Sequence, residues 1–286
     1  SAGVTHAQTL ESPAIEVMKN DTTVTVTWSD VSGVQGYRLH YASFPYTGPD
    51  TIQTIDMGEM TSLSATLWDG ASFYVAVTSY EGNINSNFSN IELFILSAAP
   101  LLDPDALPVT GTDWYRPPVS ISWQWQINGE VNVDYPVELY DIDLFDSPIT
   151  LINTIKASGK KVICYFSAGS YEDFREDKDK FDAAVLGNTL DGFPDERWLD
   201  IRSLNVANIM ISRLNLAMLK GCDGVEPDNM TAYTNDTSFD LTARDQLAFN
   251  KFIANESHKR GLSVGLKNDL DQIPELIDYF DFSVNE

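Results

Sequence analysis

The sequence predicts an α/β fold, a (β/α)8 TIM-type barrel, preceded by a small all-β sandwich. Three observations predict it. From residue 121 onward, strand-like and helix-like stretches alternate, which implies parallel strands joined by helical crossovers. Polar residues, carboxylates above all, gather where those strands end, and an α/β barrel builds its site on that face. Residues 10–98 instead carry short β-runs at regular spacing, the pattern of an all-β sandwich.

The first domain is assigned to residues 1–98. Residues 1–9 lack a starting Met and an apolar signal core, and read as a processed or engineered start. Residues 22–28 alternate Thr with Val and end on Trp28, a half-buried strand. A turn region over 29–36 leads to strands at 37–41 and 73–78. The stretch resembles a fibronectin type III domain through Trp28, Tyr37 and the run Leu67, Phe73, Val75 and Val77. Core packing is the expected role of Trp28, Tyr37 and Phe73. Phe44, Tyr46 and Trp68 could stack on a sugar ring, but a spacer role is preferred, since scattered surface aromatics are ordinary. Residues 99–120, with five prolines, read as a semi-rigid connector.

The second domain, 121–286, begins with strands at 122–127 and 139–145. A helix at 147–158 follows, ended by Gly159, then a strongly β-prone strand at 161–166. A short strand is expected at 198–201 and a long helix at 204–220, which Gly221 can stop with a left-handed cap. Next come a strand at 222–225, a helix at 242–260, a strand at 262–266, a helix at 271–279 and a strand at 282–284. That makes seven strands where a closed barrel has eight. The chain ends at Glu286 directly after the seventh, so the barrel is expected to be C-terminally truncated, its eighth strand missing.

Composition removes several function classes. A net charge of −24 and a pI near 4.2 argue against nucleic acid, whose backbone would be repelled; a solvated acidic surface accounts for the charge, and a cationic partner is compatible with it. No apolar run approaches about 20 residues, so no membrane insertion is expected. His6, His40 and His258 have no ligand spacing, and neither a metal nor a cofactor is expected. Cys164 and Cys222 lie in apolar, strand-like runs and are expected as buried free thiols rather than a disulfide. Sequons at Asn20, Asn87 and Asn229 matter only in a eukaryotic secretory cell.

The strand ends supply the candidate site. Asp141 and Asp143 lie on the second expected strand; Ser167, Tyr171 and Glu172 follow the third. Asp200 and Arg202 end the fourth. Glu226, Asp228 and Asn229 end the fifth, Lys267, Asn268 and Asp269 the sixth, and Asn285 and Glu286 the seventh. Some have ordinary structural alternatives: Asp269 or Asp271 as a helix cap, Asp141 with Arg202 as an ion pair, Lys267 as a structural or pKa-setting partner. Six strands ending this way exceed what capping explains. There is no nucleophile elbow, phosphate loop or dinucleotide fingerprint. Carboxylates with aromatics at Trp123, Trp125, Tyr140 and Tyr165 point to glycoside hydrolysis, in which one acid protonates the leaving oxygen and another attacks or activates water. The protonating acid needs a raised pKa.

Six motifs in order carry a resemblance: residues 140–146 (YDIDLFD), 162–172 (VICYFSAGSYE), 198–202 (WLDIR), 220–229 (KGCDGVEPDN), 261–269 (GLSVGLKND) and 280–286 (FDFSVNE). Over about 121–286 the chain resembles glycoside hydrolase family 114, the endo-α-1,4-polygalactosaminidases. The resemblance implies a secreted, endo-acting enzyme that cleaves inside α-1,4-linked galactosamine chains with retention. It implies a catalytic pair of Asp228, as nucleophile, and Glu286, as acid/base. Retention requires the two carboxyl groups about 5–5.5 Å apart. A partly deacetylated galactosamine polymer is cationic, and Asp141, Asp143, Asp200 and Glu226 are expected to hold its ammonium groups. Tyr165, Ser167, Glu172, Arg202, Asn229, Lys267 and Asn268 complete the expected substrate-binding set, and specificity is expected in the loop at 172–194. Two alternatives stay open: a non-catalytic carbohydrate-binding protein with an inactive barrel, and a hydrolase of another α-linked amino sugar.

Overall fold

The computed structural model describes residues 10–286 apart from 21, 45, 69, 97–101 and 112. The processed start expected over 1–9 lies outside the described residues. The chain divides into two compact units, Ser1–Ala99 and Pro100–Glu286.

The first unit is all-β and antiparallel. Its strands are β1 (Ile15–Asn20), β2 (Thr23–Trp28), β3 (Gly36–Ser43), β4 (Gln53–Gly58), β5 (Ser62–Thr66), β6 (Ser72–Glu81), β7 (Ile84–Asn85) and β8 (Glu92–Ile95). One sheet runs β1-β2-β5; the other runs β4-β3-β6-β7, with β8 also on β6. The alternation in β2 does what its period of two requires: Val24, Val26 and Trp28 are buried and the threonines between them are not. Trp28 meets Tyr37 edge-on, and the Tyr37 hydroxyl accepts from the Val31 amide and donates to Asp30. Phe73 packs against the same core from its margin.

The second unit holds β9 (Trp123–Gln126), β10 (Leu139–Asp143), α1 (Ile149–Ala157), β11 (Lys161–Ser167), β12 (Ser170–Glu172), β13 (Leu186–Leu190), β14 (Phe193–Leu199), α2 (Leu204–Lys220), β15 (Gly224–Asp228), α3 (Ala243–Lys259), β16 (Ser263–Lys267), α4 (Ile273–Leu276) and β17 (Phe282–Val284). Six of these strands form one parallel half-barrel sheet in the order β17-β16-β15-β11-β10-β9. Tyr140, Ile142, Val162, Cys164, Phe166 and Val225 belong to the core cluster shared with α1, α2 and α3. The alternate positions, Asp141, Asp143, Tyr165, Ser167, Glu226 and Asp228, therefore face the other way, into the half-barrel. A cavity of about 280 Å³ is lined from both edges of this sheet, by Trp123 of β9 and by Phe282, Ser283 and Val284 of β17, with Asp141 between them.

Four expectations are corrected. Residues 198–201 are not a barrel strand. The segment belongs to β14, which pairs antiparallel with β12 and β13 in a separate three-stranded sheet, so the parallel sheet has six of the seven strands expected. The signal was Asp191-Gly192: Leu190 pairs with Phe193 across these two residues, and Gly192 has φ 80°, the two-residue hairpin that Asp-Gly favours. The fifth expected strand is shifted along the chain and runs to Asp228, so Glu226 and Asp228 sit within it. Cys164 and Cys222 are not free thiols; they form a disulfide that ties β11 to the turn after α2. Both runs are apolar, but parallel β11 and β15 are neighbours, and that adjacency brings the two Cα atoms to 6.1 Å. Finally, Asp269 precedes a short 3-10 turn without capping it; its carboxylate accepts from Asn250 instead.

The helix boundaries follow local chemistry. Ser203 caps α2 through the Asn205 amide, and Gly221 closes it at φ 81°. Thr242 and Asp245 form a reciprocal capping box on α3. Residues 104–116, within the stretch expected to connect the domains, are hydrogen-bonded to the second unit: Lys251 to the Pro104 carbonyl, Asn255 to both Leu107 and Val109, and the Trp114 indole N–H to Asp281. Trp114 also stacks on His258, ring centroids 4.0 Å apart, and His258 bonds Asp281.

Candidate active site

The centre of the site is Lys267, at the end of β16 and 1% exposed. Its ammonium lies 2.9 Å from Glu226 Oε1, 3.8 Å from Asp228 Oδ1 and 3.5 Å from Glu286 Oε1. Burial works against its charge, but the carboxylates of Asp228 and Glu226 outweigh burial and hold its pKa above the ordinary lysine value. The Asp228 and Glu286 oxygens are no further apart than their two distances to Lys267 combined, inside the roughly 10 Å within which two acids can act on one bond.

Asp228 is held from three sides. The Tyr165 hydroxyl donates to Oδ2 at 2.9 Å, the Asn229 amide donates to Oδ1 at 2.7 Å, and Lys267 stands beyond. Burial, then the Asp228 charge, raises the Tyr165 pKa, so this hydroxyl stays a donor. Asn229 adopts φ 60° and its side chain donates to the hydroxyls of Ser167 and Ser170. Asn268 has φ 54° and accepts the Glu286 amide through Oδ1. Left-handed backbone outside glycine is uncommon and gathers at functional sites. Gly169 lets the chain close on this turn: a Cβ there would lie 1.8 Å from the Asn229 carbonyl oxygen.

Glu226 and Asp141 lie beneath. Glu226 is fully buried; it accepts from Lys267 and from the Trp125 indole N–H at 3.0 Å. Asp141 is 1% exposed, and its Oδ1 has no hydrogen-bond partner. Burial, then the Glu226 charge, pushes its carboxyl well above the usual carboxylate range. Both were expected to hold substrate; Glu226 is bonded to Lys267, and Asp141 lies buried near it.

Other expected residues are placed elsewhere. Asp143 and Glu172 are buried and bound to Arg175, Asp143 through both guanidinium ends at 2.9 and 2.7 Å, Glu172 at 3.0 and 2.9 Å. Their charges are neutralised and turned away from solvent. Asp200 and Arg202 follow β14, pair with each other at 2.8 Å and stand apart from the parallel strand ends; the alternative pairing of Arg202 with Asp141 is not formed. Tyr140 is fully buried on the helix-facing side and offers no platform. Trp123 and Trp125 remain half-exposed, with the Lys267 ammonium 5.1 Å from the Trp125 ring centroid.

Sequence reasoning missed Ser170, Arg175, Arg213 and Glu196. The Ser170 hydroxyl bridges Ser167, at 2.5 Å, and Glu196, at 2.6 Å. Arg213 bonds Asp177 and the Ser167 carbonyl. The Asp191-Gly192 turn was the available signal for Glu196, because it makes a strand of the residues that follow.

Known proteins resemble parts of this chain. The description of glycoside-hydrolase family GH114 matches residues 104–286. The crystal structure of Aspergillus fumigatus Ega3 in complex with galactosamine is 46% identical and aligns at a TM-score of 0.61, covering 63% of this chain and 71% of that one. The glycoside hydrolase domain of PelA from Pseudomonas aeruginosa aligns at 12% identity and a TM-score of 0.47, over 59% of this chain and 68% of that one. A Fn3-like protein from Clostridium thermocellum aligns at 18% identity and a TM-score of 0.27, over 30% of this chain and 92% of that one. No curated protein matches the chain significantly.

Proposed function

The chain belongs to glycoside-hydrolase family GH114, and from that membership we propose that it cleaves internal α-1,4-galactosaminidic bonds of a galactosamine-containing polysaccharide. The observation that carries the reading is the sharing of one buried ammonium, Lys267, by Asp228 and Glu286. Asp228, fixed by the Tyr165 hydroxyl and the Asn229 amide, is the nucleophile. Glu286, 3.5 Å from the same ammonium, is the acid/base. Attack by Asp228 on the anomeric carbon forms a glycosyl ester while Glu286 protonates the leaving oxygen; Glu286 then takes a proton from the water that hydrolyses the ester, and configuration is retained.

The 46% identity to an enzyme crystallised with galactosamine supports the sugar. The net charge of −24 favours encounter with a cationic polymer. The disulfide favours an oxidising, extracellular setting, and among the described residues no helix is long and apolar enough to cross a membrane. In this reading the half-barrel is part of an eight-stranded (β/α) barrel, and the first unit is a fibronectin type III-like spacer. The test is incubation with partly deacetylated α-1,4-galactosamine polymer. Release of oligosaccharides that Asp228→Asn abolishes is expected; polymer that binds and is never shortened would sink the proposal. The anomer released first, read by proton NMR, checks retention.

A further inference from the structure

Among the described residues, no basic side chain forms an ion pair with Glu196. It lies on β14 directly across from Glu172 on β12, and like charges at such a position destabilise a sheet. Glu172 is answered by Arg175. Glu196 is not: its one close partner is the neutral Ser170 hydroxyl, and among the described residues no basic side chain forms an ion pair with it. Arg175 acts on it from further away but is committed to Asp143 and Glu172. Lys267 is committed to Glu226.

The placement of this carboxylate is specific. Along β14, Arg197 turns outward to the carbonyls of Leu186 and Gly187, so Glu196 and the buried Trp198 face the other way. Ser170 ties Glu196 to Ser167, which stands in register with Asp228, and to Asn229. The Asp228 charge acts on Glu196, and both charges act on the Tyr165 hydroxyl. Burial, together with the charges of Glu172 and Asp228, raises the Glu196 pKa against the pull of the Ser170 bond. A half-buried acid is thus tied, through Ser170, to the turn that follows the candidate nucleophile, and among the described residues no ion pair neutralises it.

We infer that Glu196 is the specificity-determining residue that receives the ammonium group of a deacetylated aminosugar bound next to Asp228. A sugar ammonium supplies the missing counter-charge. An acetamido group supplies none, and it leaves the Glu172–Glu196 repulsion in place. The inference rests on the proposed action on galactosamine polymer and extends it to the choice between free and acetylated amine.

The test compares Glu196→Gln with the parent protein on deacetylated and on N-acetylated α-1,4-galactosamine polymer. Glutamine keeps the Ser170 bond and removes the charge. The ratio of kcat/KM for deacetylated over acetylated polymer is expected to fall roughly 10- to 100-fold, the worth of one charge-assisted contact. An equal loss on both polymers overturns the inference and assigns Glu196 to bond cleavage itself; an unchanged ratio overturns it outright. Calorimetric titration with galactosamine and N-acetylgalactosamine, in Asp228→Asn with and without Glu196→Gln, probes the same contact without turnover. If the parent protein cleaves neither polymer, the proposed function fails, and the titration still tests Glu196: selective loss of galactosamine binding supports the inference, and equal binding refutes it.

Discussion

Where β10 and β12 end, Asp143, Glu172 and Asp177 meet Arg175 and Arg213, and every carboxylate in that group is bonded by a guanidinium. Where β15 and β16 end, Glu226, Asp228 and Glu286 meet one lysine. The first group is closed, with Arg175 and Arg213 at 5% and 1% side-chain exposure. The second has three carboxylates around a single ammonium, where the first has three around two guanidiniums. The two groups differ in charge balance, and that difference is expected to separate a group that holds the fold from one that acts on substrate.

The comparison breaks most sharply at Asp228. Asp228→Asn is expected to lower kcat by about 10,000-fold while thermal unfolding stays where it was; an active variant would remove the nucleophile from the open group. Arg175→Met should do the reverse. Breaking a buried ion pair from one side costs about 3–5 kcal/mol, so urea unfolding shifts by that amount, and any loss of activity follows the unfolded fraction. A variant that stays stable but loses turnover would move the closed group into the catalytic machinery. Gly169→Ala drives a methyl into the Asn229 carbonyl and displaces the turn that orients Asp228. About a 100-fold loss of kcat is expected for a shift on that scale, with the fold retained by circular dichroism.

The smallest effect lies at the rim of the open group. Burial raises the Asp269 pKa to about 6, more than its bonds from Tyr233 and Asn250 lower it. The folded state therefore prefers the neutral acid. Stability contributed by that proton is present below the unfolded pKa of about 4 and is lost as pH rises through about 6. Asparagine has no proton to lose and tolerates the left-handed φ of 50°. Asp269→Asn should match the parent protein at pH 4 and exceed it by about 1–2 kcal/mol at pH 7; equal stability at both values would show that Asp269 titrates normally.

The open group was far more legible in the sequence than the closed one. Glu226, Asp228, Lys267 and Asn268 cluster in short runs at strand ends, and the chain order of the elements alone places them on one face. The arginines that neutralise Asp143 and Asp177 lie 32 and 36 residues along the chain, in loop and helix, where no local pattern names their partners. The disulfide escaped for the same reason: it depends on β11 and β15 being neighbours, which requires knowing that the intervening 172–199 segment leaves the parallel sheet. Asp141 shows a third limit. Its position was readable, but whether a carboxylate at a strand end meets solvent or the underside of another acid is decided by packing.

The bond from Trp114 to Asp281 works as a latch. Asp281 directly precedes β17 and is gripped by the Trp114 indole, His258 and the Val264 amide. Trp114 belongs to the segment that leads into β9, at the opposite edge of the curled sheet. The two edge strands of the six-stranded sheet are thus fastened at their bases, and β17 carries Glu286 just beyond its tip. The position of Glu286 thus depends in part on an aromatic stack at the far end of β17, and a single protease cut between residues 108 and 116 is expected to shift Glu286 relative to Asp228 without touching either.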